Sequence, residues 1–539
     1  MDMSRSLLLG VLLLAPALPA QPGGQRSAGL GTVHFETSCA PSPSIRATFE
    51  GGVAQLHSFE FGSSVRSFNE VLARDSSCVM AYWGLALSAW GNPFAAGIKP
   101  NAQLERGLAA VEHGRALKTG TERERAFLAA AARLYDNYRA TDQRQRVVAY
   151  RDAMAELATR FPRDDEASIF YALALAFSAD PNDKTYESQR KAGAILQRLQ
   201  ARLPDHPGIA HYLIHAYDVA SLAQEGLPAA DRYASIAPSS AHALHMPSHT
   251  YTRVGKWEES IATNLRSAKA AADEGSGAEG LHANDYMVYA YLQTAQDSAA
   301  TRVLERLPSL AARFDPNALG TGGAPVAGFF AIAAIPARHA LERGDWRTAA
   351  TLEVQTSPFP FTQAITWFAR GIGASRTGDT LTGGEAIRQL ERLRDLLAGQ
   401  GERYWSQQVE IQRRGVTAWL ALARGAGVQA VAEMRATADL EAGTDKNALT
   451  PGPILPAREL LAEMLLQRGD AAGALREYEA TLGTEPGRFR ALAGAMRSAQ
   501  IVGDSVRVRR YAEELARVCE HGDRPGRAEL ATARSVVGK

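Results

Sequence analysis

Six of the twelve histidines fall between His211 and His282, in three segments: HYLIHAYD (211–218), HALHMPSH (242–249) and HANDYMVYAY (282–291). His211 and His215 are four residues apart, as are His245 and His249, so on a helix each pair shares one face with its side chains about 5–6 Å apart. Adding 34 to the first pair gives the second. If a regular repeat of that length carries both, the pairs stack on neighbouring helices whose axes lie about 8–10 Å apart. Four imidazoles at the corners of such a rectangle could converge on one metal ion or bracket two, with His211, His215, His245 and His249 as principal ligands. His242, His282, Asp218 and Asp285 would then be supporting groups. Imidazole with carboxylate suits zinc, copper, iron or nickel and does not choose among them. Two plainer readings stand beside this one: a polar groove that binds a ligand through the same side chains, and hydrogen-bonded structural histidines.

Other chemistry is poorly represented. The chain has no H-E-x-x-H, no P-loop, no G-x-S-x-G and no C-x-x-C. Ser188 to Lys191 matches S-x-x-K without its partner motifs, and Gly371, Gly373 and Gly378 do not follow a strand, so they read as packing and turn glycines. Glu166 opens the apolar segment before His211 and could reach the same groove, although a glutamate in a first helical turn is better explained by the helix dipole. His34, His57, His113, His206, His339 and His521 are scattered and read as surface or core residues.

The elements that must position these groups are helical. Ala, Leu, Arg, Glu and Gln dominate and alternating β-branched runs are hard to find, so the fold class is all-α. With 59 lysines and arginines against 58 aspartates and glutamates, no global field draws the protein to nucleic acid or an anionic membrane. Arg5 followed by the apolar run Leu7 to Leu18 and a polar QPGGQ has the layout of a secretory signal over residues 1–20, too short for a confident membrane span. The mature chain is therefore expected to be secreted or periplasmic, with no later span. In such a compartment Cys39 and Cys78 could pair and leave Cys519 free; three unconnected thiols are the alternative.

Residues 21–44, rich in Gly, Ser and Pro, are expected to form a flexible leader. Helical periodicity begins at about 45. Between 101 and 162 three helices are signalled by Asn101, by the Thr121/Glu124 capping box and by Asp142, at spacings that do not follow 34. Further on, Gly344-Asp345 recurs as Gly378-Asp379 and Gly469-Asp470 as Gly503-Asp504, each 34 residues later. VGKWEES (254–260) and RGDWRTA (343–349) share a Gly-polar-Trp turn, and Tyr478 and Pro486 fall at matching places. Residues 380–443 look helical but off period, and ALTPGPILP (448–456) marks a break before a final repeat pair ending near 520, followed by a polar tail over 521–539.

These turns and their period resemble tetratricopeptide repeats, most specifically over 207–295, 328–380 and 454–516. The phrases MAYWGLALSAWGNPF, HYLIHAYD and HALHMPSHTYTRVG are also similar to those of exported bacterial tetratricopeptide-repeat proteins with no agreed activity. The resemblance implies a right-handed α-solenoid over 45–445 with an atypical insertion near 101–162, and a carboxy-terminal pair over 446–520. With Gly255 at the turn position, His242, His245 and His249 take the second, fifth and ninth places of the repeat, which in the proteins this chain resembles face the concave groove and hold ligands. One period back, His211, His215 and Asp218 take the fifth, ninth and twelfth. Placing His282 second puts Asp285 in the groove; a shift by one would bury that carboxylate in a helix interface at high cost if unpaired.

The leading expectation is an exported repeat protein whose concave, histidine-rich groove binds a protein, peptide or small ligand. The alternative is a metal-binding protein or metalloenzyme whose ion is zinc, copper or iron. Pro247, inside a helical run, is expected to bend the helix beside His245 and His249.

Overall fold

The 34-residue recurrence has a mechanical basis in how the hairpins turn. Gly255, Gly344, Gly378, Gly469 and Gly503 all have φ between 68° and 86°, the left-handed conformation that ends a helix without a Cβ penalty. The aspartate that follows four of them then caps the next helix. Asp345 accepts from Thr348 N, Asp379 from Leu381 N and Thr382 N, Asp470 from Gly473 N, and Asp504 from Arg507 N. Two adjacent residues thus stop one helix and start its partner.

The structure, a computed structural model, describes residues 29–39, 42–318, 320 and 322–538. The proposed signal segment 1–20 lies outside the described residues. Those described form an all-helical solenoid from Pro43–His57 to Ala528–Val537. Helices pack on their hairpin partners and on the next helix but one, in the neighbouring hairpin. Gly277–Gln293 packs on Pro325–Glu342, which packs on Pro360–Thr377, and the series continues through Arg403–Ala423, Ala457–Gln467 and Phe489–Val502. The curl is tight enough that Phe489–Val502 returns to Gly277–Gln293. Gln293 Oε1 accepts from Phe489 N at 3.1 Å, and Trp257 Nε1 donates to Gly487 O at 3.1 Å. The off-period stretch is explained by long helices, Thr380–Gly399 and Arg403–Ala423, of 20 and 21 residues.

Two apolar cores form, one from Leu30 to Tyr251 and one from Trp257 to Ala533. The insertion belongs to the first. Thr121 and Glu124 make the capping box and Asp142 caps Gln143–Arg160, but Pro100 precedes the first insertion helix, and Asn101 is its first residue and caps nothing.

Three boundary expectations are corrected. Residues 29–39 are not a flexible leader: Leu30, Val33 and Phe35 are buried, Phe35 packs against Phe49, Trp83 and Phe127, and Ser38 bonds the Glu124 carboxylate. The stretch 521–539 is not merely a polar tail, because Ala528–Val537 buries Leu530 and Ala533. The histidine face is not an open groove, since the chain's own residues Gly322 and Ala324 and the segment through Ala448 and Leu449 lie over it. Arg338, fully buried, donates to Asp285, to Thr450 Oγ1 and to the carbonyls of Gly452 and Pro453, and so anchors that segment.

Cys39 and Cys78 are joined in a disulfide that ties the 29–39 segment to the start of Val79–Trp90, while Cys519 is free and buried. The bridge closes a loop across 39 residues of sequence, for which the loop-entropy account gives about 4 kcal/mol. Changing both cysteines to serine should lower the unfolding free energy by about 2–4 kcal/mol, read from the denaturant midpoint at unchanged slope.

Candidate metal centre

Ser240 starts the central helix by accepting from Ala243 N, and Ala241–His245 runs into Pro247–Val254 with an interruption at Met246, just before Pro247. Pro336, at the equivalent place, sits inside the unbroken helix Pro325–Glu342, so proline alone does not force the break. The interrupted helix lies between Pro207–Ala216 and Gly277–Gln293, at the seam of the two cores, and all six histidines of the sequence cluster are buried there. Their nitrogens group into two triads, His245/His249/His282 and His211/His215/His242, with the ligand atoms of each triad within 4.8 Å of one another.

This grouping revises the sequence-based assignment. Of the two arrangements expected for His211, His215, His245 and His249, the nitrogens follow the one that brackets two points, and His242 and His282 complete triads where they were taken as supporting groups. Asp218 does support, through His249. Asp285 does not face the histidines; it is buried in the helix interface and bonded to Arg338 Nε at 3.0 Å. The register argument assumed that a carboxylate there would be unpaired, and Arg338, 53 residues on, supplies the partner.

The hydrogen bonds at the outer edges of the rings fix which nitrogens carry protons. Asn264 Nδ2 donates to Ser260 O at 2.7 Å, which turns its Oδ1 toward His245 Nδ1, 2.7 Å away; that nitrogen must donate. His249 Nδ1 donates to Asp218 Oδ2 at 3.0 Å. Asp218 is ionised: burial would raise its carboxyl, but the Lys446 ammonium and Arg253 guanidinium hold it well below the usual range. With both Nδ1 atoms protonated, the two Nε2 atoms carry lone pairs, and they face each other at 3.0 Å. Two acceptors at that distance repel unless a cation lies between them. A proton is disfavoured, since burial pulls both imidazoles below their ordinary value and His282 to about 3. Nitrogens about 2.0–2.1 Å from a shared tetrahedral metal stand about 3.3–3.4 Å apart, and the 3.0 Å here is a few tenths of an ångström short of that.

The second triad repeats the construction. His211 Nδ1 donates to His57 O at 2.6 Å and His242 Nδ1 to Glu279 at 3.3 Å. Burial would raise the Glu279 carboxyl, but His242 beside it holds it below the carboxylate range. His211 Nε2, His242 Nε2 and both nitrogens of His215 are buried and make no hydrogen bond within the chain. Leaving a buried polar atom in that condition costs about 1–3 kcal/mol each. The rings are held flat by aromatic neighbours: His215 stacks on Phe94 at 3.9 Å and His211 on Tyr233 at 5.1 Å.

A third group that could hold a metal, His57, Glu166 and His206, differs in having a carboxylate between its rings. Glu166 lies between His57 and His206 and takes an N–H from each, at 2.9 and 3.0 Å, and Tyr212 Oη meets the other His57 nitrogen. Glu166 thus belongs to this network and not to the groove, while His206 Nδ1 is buried and makes no hydrogen bond within the chain.

The space among the triads is small. Asn92, Phe94, Gly322, Ala324, Ala448 and Leu449 close over His215, His242, His249 and His282 around a void of about 20 Å³, enough for one water molecule or ion. Gly322 is required at this place, since a Cβ there would sit 2.2 Å from the His242 ring. Asn92 holds the lid, donating to Gly322 O at 2.7 Å, and its own carbonyl accepts from Lys99 Nζ. Burial lowers the Lys99 amine to about 7 from 10.5. The folded chain therefore binds fewer protons than the unfolded chain between those values, and stability should rise with pH from about 7 to about 10.5. Lys99→Met should flatten that slope and stabilise most near pH 6–7, measured by melting across the window.

A larger pocket of about 430 Å³ lies beyond Asp218, lined by Tyr186, Phe361, Tyr404, Trp405 and Glu441 among others. Arg253 and Lys446 line it too, so the residues that orient His249 also form a wall of this pocket.

No family model matches the chain, and no curated protein matches it. Among solved structures it is similar to a chain of the APC/C hetero-tetramer Cut9-Hcn1, at 11% identity and a TM-score of 0.29 over 92% of this chain and 96% of that one. It is also similar to a chain of the human IFIT1 dimer with m7Gppp-AAAA, at 10% identity and a TM-score of 0.36 over 86% and 94%. Likenesses this distant say nothing of ligand or activity; the buried histidine triads, which could hold a metal, carry the functional reading.

Proposed function

We propose that the protein is a metal-binding helical-repeat protein whose primary site is His245, His249 and His282. The observation that carries this is the pair of unprotonated Nε2 atoms at 3.0 Å, each made a lone-pair donor by a fixed acceptor behind its ring. Neutral imidazoles suit zinc or copper above the hard cations. The void of about 20 Å³ argues against a peptide or organic molecule at the histidines themselves. Untagged protein should retain close to stoichiometric metal or better by elemental analysis, and His245→Ala with His249→Ala should lose it from the primary site. A wild-type chain that takes up neither zinc, copper nor iron when each is offered would end this reading.

The second pocket favours a compatible role in binding a small ligand. At about 430 Å³ it falls within the range of roughly 300–1,000 Å³ for small-molecule sites. Trp405, stacked on Phe361 at 3.9 Å, would report an occupant by its fluorescence. The leader-like first 20 residues and the Cys39–Cys78 bridge together support export to an oxidising compartment. No helix among the described residues is long and apolar enough to cross a membrane.

A further inference from the structure

Resting on that reading, we infer that the centre is dinuclear: His211, His215 and His242 hold a second metal ion beside the first, and one water-sized group fits between the two.

The second triad stands on its own observations. Three rings from two helices present four buried nitrogens with no hydrogen bond in the chain, and two of the rings have the opposite nitrogen committed to an outer acceptor, His57 O or Glu279. The arrangement differs from that of His57/Glu166/His206, where a carboxylate stands between the rings and takes a proton from each. Here each carboxylate bonds a single ring, at its Nδ1. Asp218 backs His249 and Glu279 backs His242.

The two triads adjoin. His215 and His249 have ring centroids 5.8 Å apart, and His242 and His245 6.1 Å. His215, His242, His249 and His282 all border the same small void, so ligands of both triads face one shared space. Two ions held in this way would be neighbours in the manner of two-metal centres, where a single oxygen ligand bridges the pair. All protein ligands to both would be neutral imidazoles, which selects late first-row ions over magnesium, calcium or manganese. A void that admits one water-sized group also limits any external ligand to hydroxide, water or a diatomic molecule.

The test is stoichiometry by triad. Full-length untagged protein is loaded separately with Zn2+, Co2+ and Cu+, desalted, and assayed for metal per chain beside His215→Phe and His245→Ala. The first variant keeps an aromatic ring against Phe94 and removes both nitrogens. Two ions per wild-type chain are expected, with His215→Phe retaining one while melting as a folded protein. Spin coupling between paired Co2+ ions should appear in the wild type and vanish in that variant. One ion per wild-type chain, unchanged in His215→Phe, would overturn the dinuclear centre and leave the primary site standing. Loss of both ions from a folded His215→Phe chain would also overturn it, and no ion in any chain would remove both conclusions.

Discussion

Asp218→Ala is expected to weaken metal retention by 10–100-fold and to destabilise the fold by about 3–5 kcal/mol. The carboxylate accepts from His249 Nδ1, from Arg253 Nε and from Lys446 Nζ, all buried. Without it His249 loses the acceptor that fixes its tautomer, so its Nε2 no longer has to be the bare nitrogen. Arg253 and Lys446 are left as uncompensated charges in the interior, and burial already holds the Lys446 amine down to about 8. Asp218→Asn keeps the shape and should cost less of the metal affinity. Adding Lys446→Met to Asp218→Ala should restore part of the stability but none of the affinity. That separation, read by denaturant unfolding and by competition with a chelator, distinguishes positioning of the metal ligand from simple loss of an ion pair. Equal recovery of both quantities would show that Asp218 does no more than balance charge.

Arg488→Met should be the most damaging single change outside the histidine centre. Arg488 is fully buried and donates to Glu342 at 2.8 Å, to Glu459 at 3.0 Å and to Tyr289 Oη at 2.9 Å. Those partners lie on Pro325–Glu342, Ala457–Gln467 and Gly277–Gln293, so one guanidinium holds three helices where the solenoid returns on itself. Removing it strands two carboxylates, of which Glu459 keeps Arg490, while Glu342 loses its ion pair. A broken buried pair costs about 3–5 kcal/mol, and Arg488→Met should lower the denaturant midpoint accordingly. Adding Glu342→Gln should recover a measurable part. If the single variant loses less than about 1 kcal/mol, the closure rests on apolar packing alone.

The hairpins were legible because their cause is local. A glycine that tolerates positive φ and an aspartate that caps two or three residues later leave their mark within a few positions, and the period follows. Histidines four apart on one helix were legible for the same reason, and their burial together followed from the repeat. What the sequence did not disclose depends on pairing over long separations. The sequence offered no sign that Arg338 would neutralise Asp285, that Glu279 would stand behind His242, or that His57 would meet Glu166 from 109 residues away. The expected groove was lost for a related reason: of the residues that fill it, those from Ala448 read only as a break and those around Gly322 carried no signal, and nothing in a break says what it lies over. Splitting the ligands into two threes needed the actual ring positions, since ideal helical spacing made four corners look equivalent.

The seam location of the histidines has a mechanical outcome. His211 to His249 come from the segments around the amino-terminal core and His282 from a helix of the carboxy-terminal one, so an ion bound by His245, His249 and His282 would rivet the two halves. Binding only to the assembled form would raise stability by RT ln(1 + [L]/Kd), about 4 kcal/mol when the free ion exceeds Kd a thousandfold. Stripped protein should then melt half by half, and loaded protein in a single, later transition.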